Sequence, residues 1–208
     1  MVENIKWLGH ASFKLTGEKT IYIDPFKMTE TEPADIILLT HEHFDHCSPE
    51  DIKKIQAEKT VIVCPENCAA KLSGNIKTIK PGESIDVEGI KIEAIPSYNI
   101  DKFREPGVPF HPKDLNGIGC IITINNKRIY HAGDTDFIPE MKDLKDIDVA
   151  LLPVGGTYTM NAEEAAEAAN TIKPKLAIPM HYSDIVGSVE DAEKFKELCK
   201  VPCEILSE

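Results

Sequence analysis

The residues best suited to chemistry in this chain lie together in Thr40-His41-Glu42-His43-Phe44-Asp45-His46, where three of the seven histidines fall within six residues. Imidazole nitrogens and carboxylate oxygens are the donors that zinc and related divalent ions prefer. His41 and His43 are two apart, so in extended backbone they project to the same side. Asp45 and His46 follow after the chain has begun to turn and reach a second point nearby. The spacing suits two adjacent metal positions, with His41 and His43 at one and Asp45 and His46 at the other. A His-rich polar turn and a single ion are the alternatives, because these local residues cannot count ions.

The run before this motif, Asp35-Ile36-Ile37-Leu38-Leu39, has the continuous apolar character of a buried strand. The donors therefore leave the end of a strand together. Other candidates occupy similar places. Asp134 follows Arg128-Ile129-Tyr130-His131 through Ala132-Gly133, where glycine allows close backbone approach and two carboxylate oxygens can bridge two ions. His181 ends the run Leu176-Ala177-Ile178-Pro179-Met180, and His131, inside its strand, reads as a packed or supporting residue. Asp24 ends the strand from Thr20 and is either a turn cap or an acceptor for the far nitrogen of a ligand histidine. The ends of predicted strands gather at one sheet edge, where loops carry function.

Further strands are expected over 5–8 and 12–15, with a turn at Gly17-Glu18-Lys19, and over 60–63 and 75–79. Hairpins are expected through Glu88-Gly89 and Asn125-Asn126, a strand over 148–153, and a short final one over Glu204-Ile205-Leu206. Ser48, Pro49 and Asp51 start a helix to about Ala57, and Asn161 with Glu164 caps one to Ile172. Two more are read over 65–72 and from Ser188 to about Cys199. From Ser97 to Asn116 periodicity is lost, so this stretch is expected to be a loop over the metal site. Its Tyr98, Asn99, Arg104, Phe110 and His111 could line a pocket. Asp148–Pro153 echoes Asp35–Thr40, which suggests two similar halves, about 1–115 and 116–208, within one domain.

With these residues in view, His41, His43, Asp45 and His46 after a buried strand resemble the H-x-H-x-D-H signature of the metallo-β-lactamase superfamily. Trp7-Leu8-Gly9-His10-Ala11-Ser12 and Ile23-Asp24-Pro25-Phe26 resemble the opening strands of its small lactonase-like branch, which makes His10 a candidate pocket or supporting residue. Gly133-Asp134-Thr135 resembles the family's bridging-aspartate motif, and Pro179-Met180-His181 its last histidine. The resemblance covers most of the chain and is weakest from 60 to 95. It implies an α/β fold, the αββα four-layer sandwich of two mixed β-sheets flanked by helices, with a dinuclear metal centre between the sheet edges. His43 stands where the di-iron redox branch carries Glu, which favours hydrolysis. One position departs from the pattern: the strand end Ile95-Pro96-Ser97-Tyr98-Asn99 lacks the family's usual histidine, and His111 is expected to replace it.

The resemblance thus implies a metal-dependent hydrolase in which a hydroxide at two divalent ions cleaves a small-molecule ester, lactone, amide or phosphodiester bond. Zinc is the first choice of ion, with manganese or iron as alternatives. The expected ligands are His41, His43, Asp45, His46, His111, Asp134 and His181, with Asp45 also the catalytic candidate that orients the hydroxide. Tyr98, Asn99, Arg104 and Tyr182 are the substrate-binding candidates. A nuclease or cyclic phosphodiesterase on the same fold, and a non-catalytic metal-binding protein, are the alternative functions.

The bulk properties agree. A chain of 208 residues is one domain or two small ones, and its net charge of −12 disfavours non-specific nucleic-acid binding. No apolar run reaches the roughly 18 residues of a membrane helix. The start, Met1-Val2-Glu3-Asn4-Ile5-Lys6, is not a basic segment followed by an apolar one, so a cytoplasmic location is expected. Cys47, Cys64, Cys68, Cys120, Cys199 and Cys203 are then expected to be thiols, buried by default. A second zinc site from the pairs Cys64/Cys68 and Cys199/Cys203 is the disfavoured alternative. The expected partner is a small-molecule substrate, and a homo-oligomer is compatible with the sequence.

Overall fold

Short runs of Ile, Leu and Val build two sheets in the computed structural model, which describes residues 2–207; Met1, at the start of the segment read for a leader, and Glu208 lie outside the described residues. The first sheet holds β1 (Ile5–Trp7), β2 (Phe13–Leu15), β3 (Ile21–Ile23), β4 (Ile36–Leu38), β5 (Val61–Cys64) and β6 (Asn75–Thr78), in that order. Its first three strands pair antiparallel, and β3 to β6 run parallel. The second sheet holds β7 (Ser84–Val87), β8 (Ile90–Pro96), β11 (Ile118–Ile124), β12 (Lys127–His131), β13 (Val149–Pro153) and β14 (Leu176–Met180). Its order is β14-β13-β12-β11-β8-β7, antiparallel from β7 to β12 and parallel from β12 to β14.

Alternation along each strand divides the core. Ile36 and Leu38 of β4 join the large cluster between the sheets, whereas Ile37 and Leu39 join a second cluster on the outer face. The outer cluster is completed by Ile52 and Ile55 of α1 (Pro49–Ile55) and Cys68 of α2 (Glu66–Ala69). On the far side, Ala162, Ala165, Ala166, Ala168 and Ala169 of α3 (Ala162–Ile172) and Phe195 of α4 (Val189–Leu198) are buried in the main cluster. Burial on both faces explains why the inner parallel strands β4, β5 and β13 read as unbroken apolar runs. The four layers are the αββα sandwich expected from the sequence.

The helix signals read from the sequence are present. The Ser48 hydroxyl accepts from the Asp51 N–H at the start of α1, and Asn161 and Glu164 form a reciprocal capping box on α3. Three details differ. The Ser97–Asn116 stretch is not without structure: β9 (Phe103–Glu105) and β10 (Val108–Pro109) pair as a ribbon, and Lys113–Leu115 forms a single 3-10 turn. Its strands are mostly exposed, so no burial alternation marks them in the sequence. Glu204–Leu206 is not a strand; the end of the chain makes an isolated bridge between Cys203 and Ala177. The chain also changes sheets between Thr78 and Ser84, well before the expected midpoint near residue 115, because the hairpin β7–β8 joins the second sheet. Among the described residues, no helix is long and apolar enough to cross a membrane.

Candidate metal centre

The C-terminal ends of β4, β12 and β14, with the β1–β2 connection and the loop before β11, supply one cluster of donors. Beyond β4 the N–H groups of His46 and Cys47 both donate to the His43 carbonyl, at 3.1 and 2.8 Å, and this tight turn separates two ligand directions. His41 and His43 stay together, with His41 Nε2 3.1 Å from His43 Nδ1. His111 joins them, its Nε2 also 3.1 Å from His43 Nδ1. Asp45 and His46 instead meet His181 and His10. Asp134 lies between the two groups. Its Oδ2 is 3.1 Å from His181 Nε2 and 3.4 Å from His111 Nε2, and its Oδ1 is 3.4 Å from His46 Nε2.

Gly133 lets that aspartate approach. It has φ +67°, and a Cβ there would stand 2.7 Å from the Ile118 carbonyl oxygen, so an L side chain would face both strain and collision.

The histidines are fixed from behind. His46 Nδ1 donates to Asp24 Oδ2 at 2.8 Å, which leaves the Nε2 lone pair facing the cluster. The Thr40 hydroxyl donates to the same Asp24 oxygen at 2.6 Å, so its own oxygen can accept from His41 Nδ1 at 3.0 Å. Asp24 also accepts from the Thr40 N–H at 2.8 Å. These bonds offset its left-handed backbone, φ 43°, a conformation that costs about 1–3 kcal/mol in a non-glycine residue. Asn99 Oδ1 accepts from both the N–H and the Nδ1 of His111, at 2.8 and 2.9 Å, while Asn99 Nδ2 donates to Asp136 Oδ1 and the Tyr158 carbonyl. His10 braces the second group twice: its Nε2 is 3.1 Å from Asp45 Oδ2, and its carbonyl accepts from the His181 N–H at 2.8 Å.

The donors fit a divalent cation. His46 Nε2, His181 Nε2 and Asp134 Oδ1 are buried and make no hydrogen bond in good geometry, although they lie close together. Leaving a buried polar atom unsatisfied costs about 1–3 kcal/mol, and a cation coordinated by these N and O atoms would satisfy all three.

Electrostatics supports this reading. Burial holds His41 well below the usual histidine range, aided by the neighbouring His46 charge, and burial pushes His111 down to about 4 despite the Asp134 carboxylate. Burial and His46 likewise lower His43. These imidazoles are neutral and able to coordinate. Burial opposes charge on His46 too, but the Asp134 and Asp24 carboxylates outweigh it and hold His46 well above the ordinary value. Burial would raise Asp134, yet His181 and His46 keep it well below the normal carboxylate range.

The structure brings together His41, His43, Asp45, His46, His111, Asp134 and His181. Among the substrate-binding candidates, Asn99 positions His111 instead of lining the cavity. Tyr98 is turned away: its hydroxyl donates to Glu140 Oε2 at 3.0 Å, and Lys113 sits over its ring. Tyr182 is buried and stacks on Trp7, with ring centroids 4.8 Å apart. The backbone turns through a left-handed conformation at His181, φ 60°, and carries the Tyr182 ring away from the cluster. Arg104 donates to the Phe110 carbonyl at 3.2 Å and lies over that ring, outside the cavity lining. His131 is packed, with Nε2 2.9 Å from the Ala11 carbonyl oxygen. Cys47, Cys64 and Cys68 are buried in the outer cluster, apart from Cys199 and Cys203, which pack on the main one, so the four paired cysteines form no common site.

A cavity of about 220 Å³ opens above the cluster. His43, Asp45, His111 and Asp134 form its floor, and Phe44, Phe110, Tyr158 and Ile185 form its walls. Phe110 lines the cavity as expected from the sequence, whereas Phe44, Tyr158 and Ile185 were not singled out, since such side chains carry no spacing signal for a pocket.

A four-layer sandwich with a His/Asp cluster at its sheet edge is the architecture of a metallohydrolase. The profile of the beta-lactamase superfamily domain matches residues 4–181. A metal-dependent hydrolase of Thermoplasma acidophilum is 38% identical over 220 residues, covering 95% of this chain and 92% of that protein. One from Methanoculleus marisnigri is 37% identical over 200 residues, covering 92% and 86%. The crystal structure of a Parabacteroides distasonis protein assigned as a metal-dependent hydrolase superposes with a TM-score of 0.85 at 38% identity, covering 98% of this chain and 93% of that one. The chain belongs to the beta-lactamase superfamily and, within it, to the metal-dependent hydrolases.

Proposed function

We propose that the centre holds two divalent ions, zinc by preference, and that the protein hydrolyses an ester, lactone, amide or phosphodiester bond of a small molecule. The observation that carries this reading is the convergence of two donor groups on one buried carboxylate, Asp134, with unsatisfied atoms on both His46 and His181. His41, His43 and His111 would hold one ion, and Asp45, His46 and His181 the other, with Asp134 between them. Bound ions of this kind supply Lewis acidity and lower the pKa of water.

The chain's own residues do the rest. Asp24, Thr40 and Asn99 fix the imidazoles in the tautomer that presents a lone pair to the cluster. His10 keeps Asp45 at the cavity floor, where its carboxylate can accept a hydrogen bond from an entering water and hold that water's orientation. Six free cysteines support a reducing, cytoplasmic setting.

The test is turnover of a panel of chromogenic esters, lactones, amides and phosphodiesters by protein purified without chelator. Chelator-sensitive hydrolysis of at least one class, restored by zinc, is expected. Turnover indifferent to chelator, or none by the fully reconstituted protein, would contradict the reading. Preference for the diester would move it to a phosphodiesterase.

A further inference from the structure

The cavity walls carry a second message, which rests on the hydrolase reading. We propose that the substrate is an uncharged ester or lactone with an apolar acyl chain, and that Phe44 and Ile185 set this preference. Phe44 stands between His43 and Asp45, yet its side chain turns outward and is 68% exposed. Its ring rests edge-on against Phe26, with centroids 5.8 Å apart, so it is a braced wall. Ile185, 39% exposed, faces the same cavity from beyond β14. Phe110 and Tyr158 close the remainder as a T-shaped pair with centroids 4.8 Å apart.

Charge points the same way. Among the described residues, no lysine or arginine lines this cavity, and the carboxylates of its floor, Asp45 and Asp134, are committed to the metal cluster. The nearby Arg104 is committed to the carbonyl and ring of Phe110. Beyond the ions proposed for the floor, a phosphodiester would bring a full negative charge that no cationic side chain on the walls would meet. An ester brings none, and its acyl chain would cover the apolar surface. The volume, about 220 Å³, is below the roughly 300–1,000 Å³ of drug-sized sites, which restricts the occupant to a small molecule. In the reaction, the oxygen of one water bonds to the carbonyl carbon, and that carbon's bond to the alkoxy oxygen breaks. One proton of the water ends on the alcohol, and the other leaves the carboxylic acid for solvent.

Two series test the proposal on the zinc-loaded protein: kcat/KM for p-nitrophenyl acetate, butanoate and hexanoate beside bis(p-nitrophenyl) phosphate, and calorimetric Kd for acetate, butanoate and hexanoate. Both series should improve by about fourfold per added methylene. Phe44→Ala and Ile185→Ala should flatten them, and Phe44→Leu should restore most of the slope. Series flat with chain length, or faster turnover of the phosphodiester than of the hexanoate ester, would overturn the proposal. If neither the esters nor the phosphodiester is cleaved, the hydrolase reading loses its support here, and the calorimetric series decides alone: binding that tightens with length supports an apolar-chain site, and constant binding overturns it.

Discussion

Three histidines of the cluster are held by three different acceptors: Thr40 for His41, Asp24 for His46 and Asn99 for His111. Such supporting bonds are commonly worth about 10- to 100-fold in metal affinity. Asn99→Ala should therefore weaken one ion of the pair by that factor and leave the other nearly unchanged, as read by competition with a chromogenic chelator. Equal affinities at both positions, matching wild type, would contradict the role of Asn99. Asn99→Asp should do no better, because it would set a carboxylate against Asp136, which now accepts from Asn99 Nδ2. Asp24 was legible as a supporting residue because it ends a strand, as the ligands do. Asn99 was legible only as a residue near the site, since its bond to His111 depends on how the intervening ribbon folds back.

At the scale of elements, the strand ends that carry the site were legible, since buried parallel strands are continuous apolar runs that stop at polar residues. The β9–β10 ribbon was not, because its exposed strands are held by pairing with each other and not by a buried face. Helix α1 gives a pH-dependent prediction. Burial would raise the Asp51 carboxyl, but the Lys54 ammonium, the Ser48 hydroxyl and the N–H groups of Met28 and Lys27 outweigh it and hold the carboxyl below its ordinary value of 3.8. The unfolded state therefore binds this proton first as pH falls. The stabilisation is complete well above the unfolded value and is lost as pH falls from there through the lower, folded value. Asp51→Asn should cost about 1–3 kcal/mol in chemical denaturation at pH 7, and the difference from wild type should shrink towards pH 3. A constant difference across that range would remove ionisation from the explanation.

For the whole molecule, the centre is a joint. His41, His43, Asp45 and His46 leave the first sheet, whereas Asp134 and His181 leave the second. The Thr40 carbonyl already accepts from the Ile118 N–H at 2.9 Å across this edge. Ions bound there would tie the two sheets together and stabilise the native state alone. Free zinc at about 100 times its Kd corresponds to about 2.7 kcal/mol per site, or roughly 5–10 °C in Tm for a chain of this size. A scan of chelated against zinc-loaded protein should show that rise, and an unchanged Tm would mean that the cluster does not bind metal in the folded state. The most direct test of the paired centre is metal content per chain, measured by elemental analysis after reconstitution, in wild type and in Asp134→Ala. Near two ions in wild type and no more than one in the variant is the expected result; one or none in wild type, or two retained without Asp134, would contradict it.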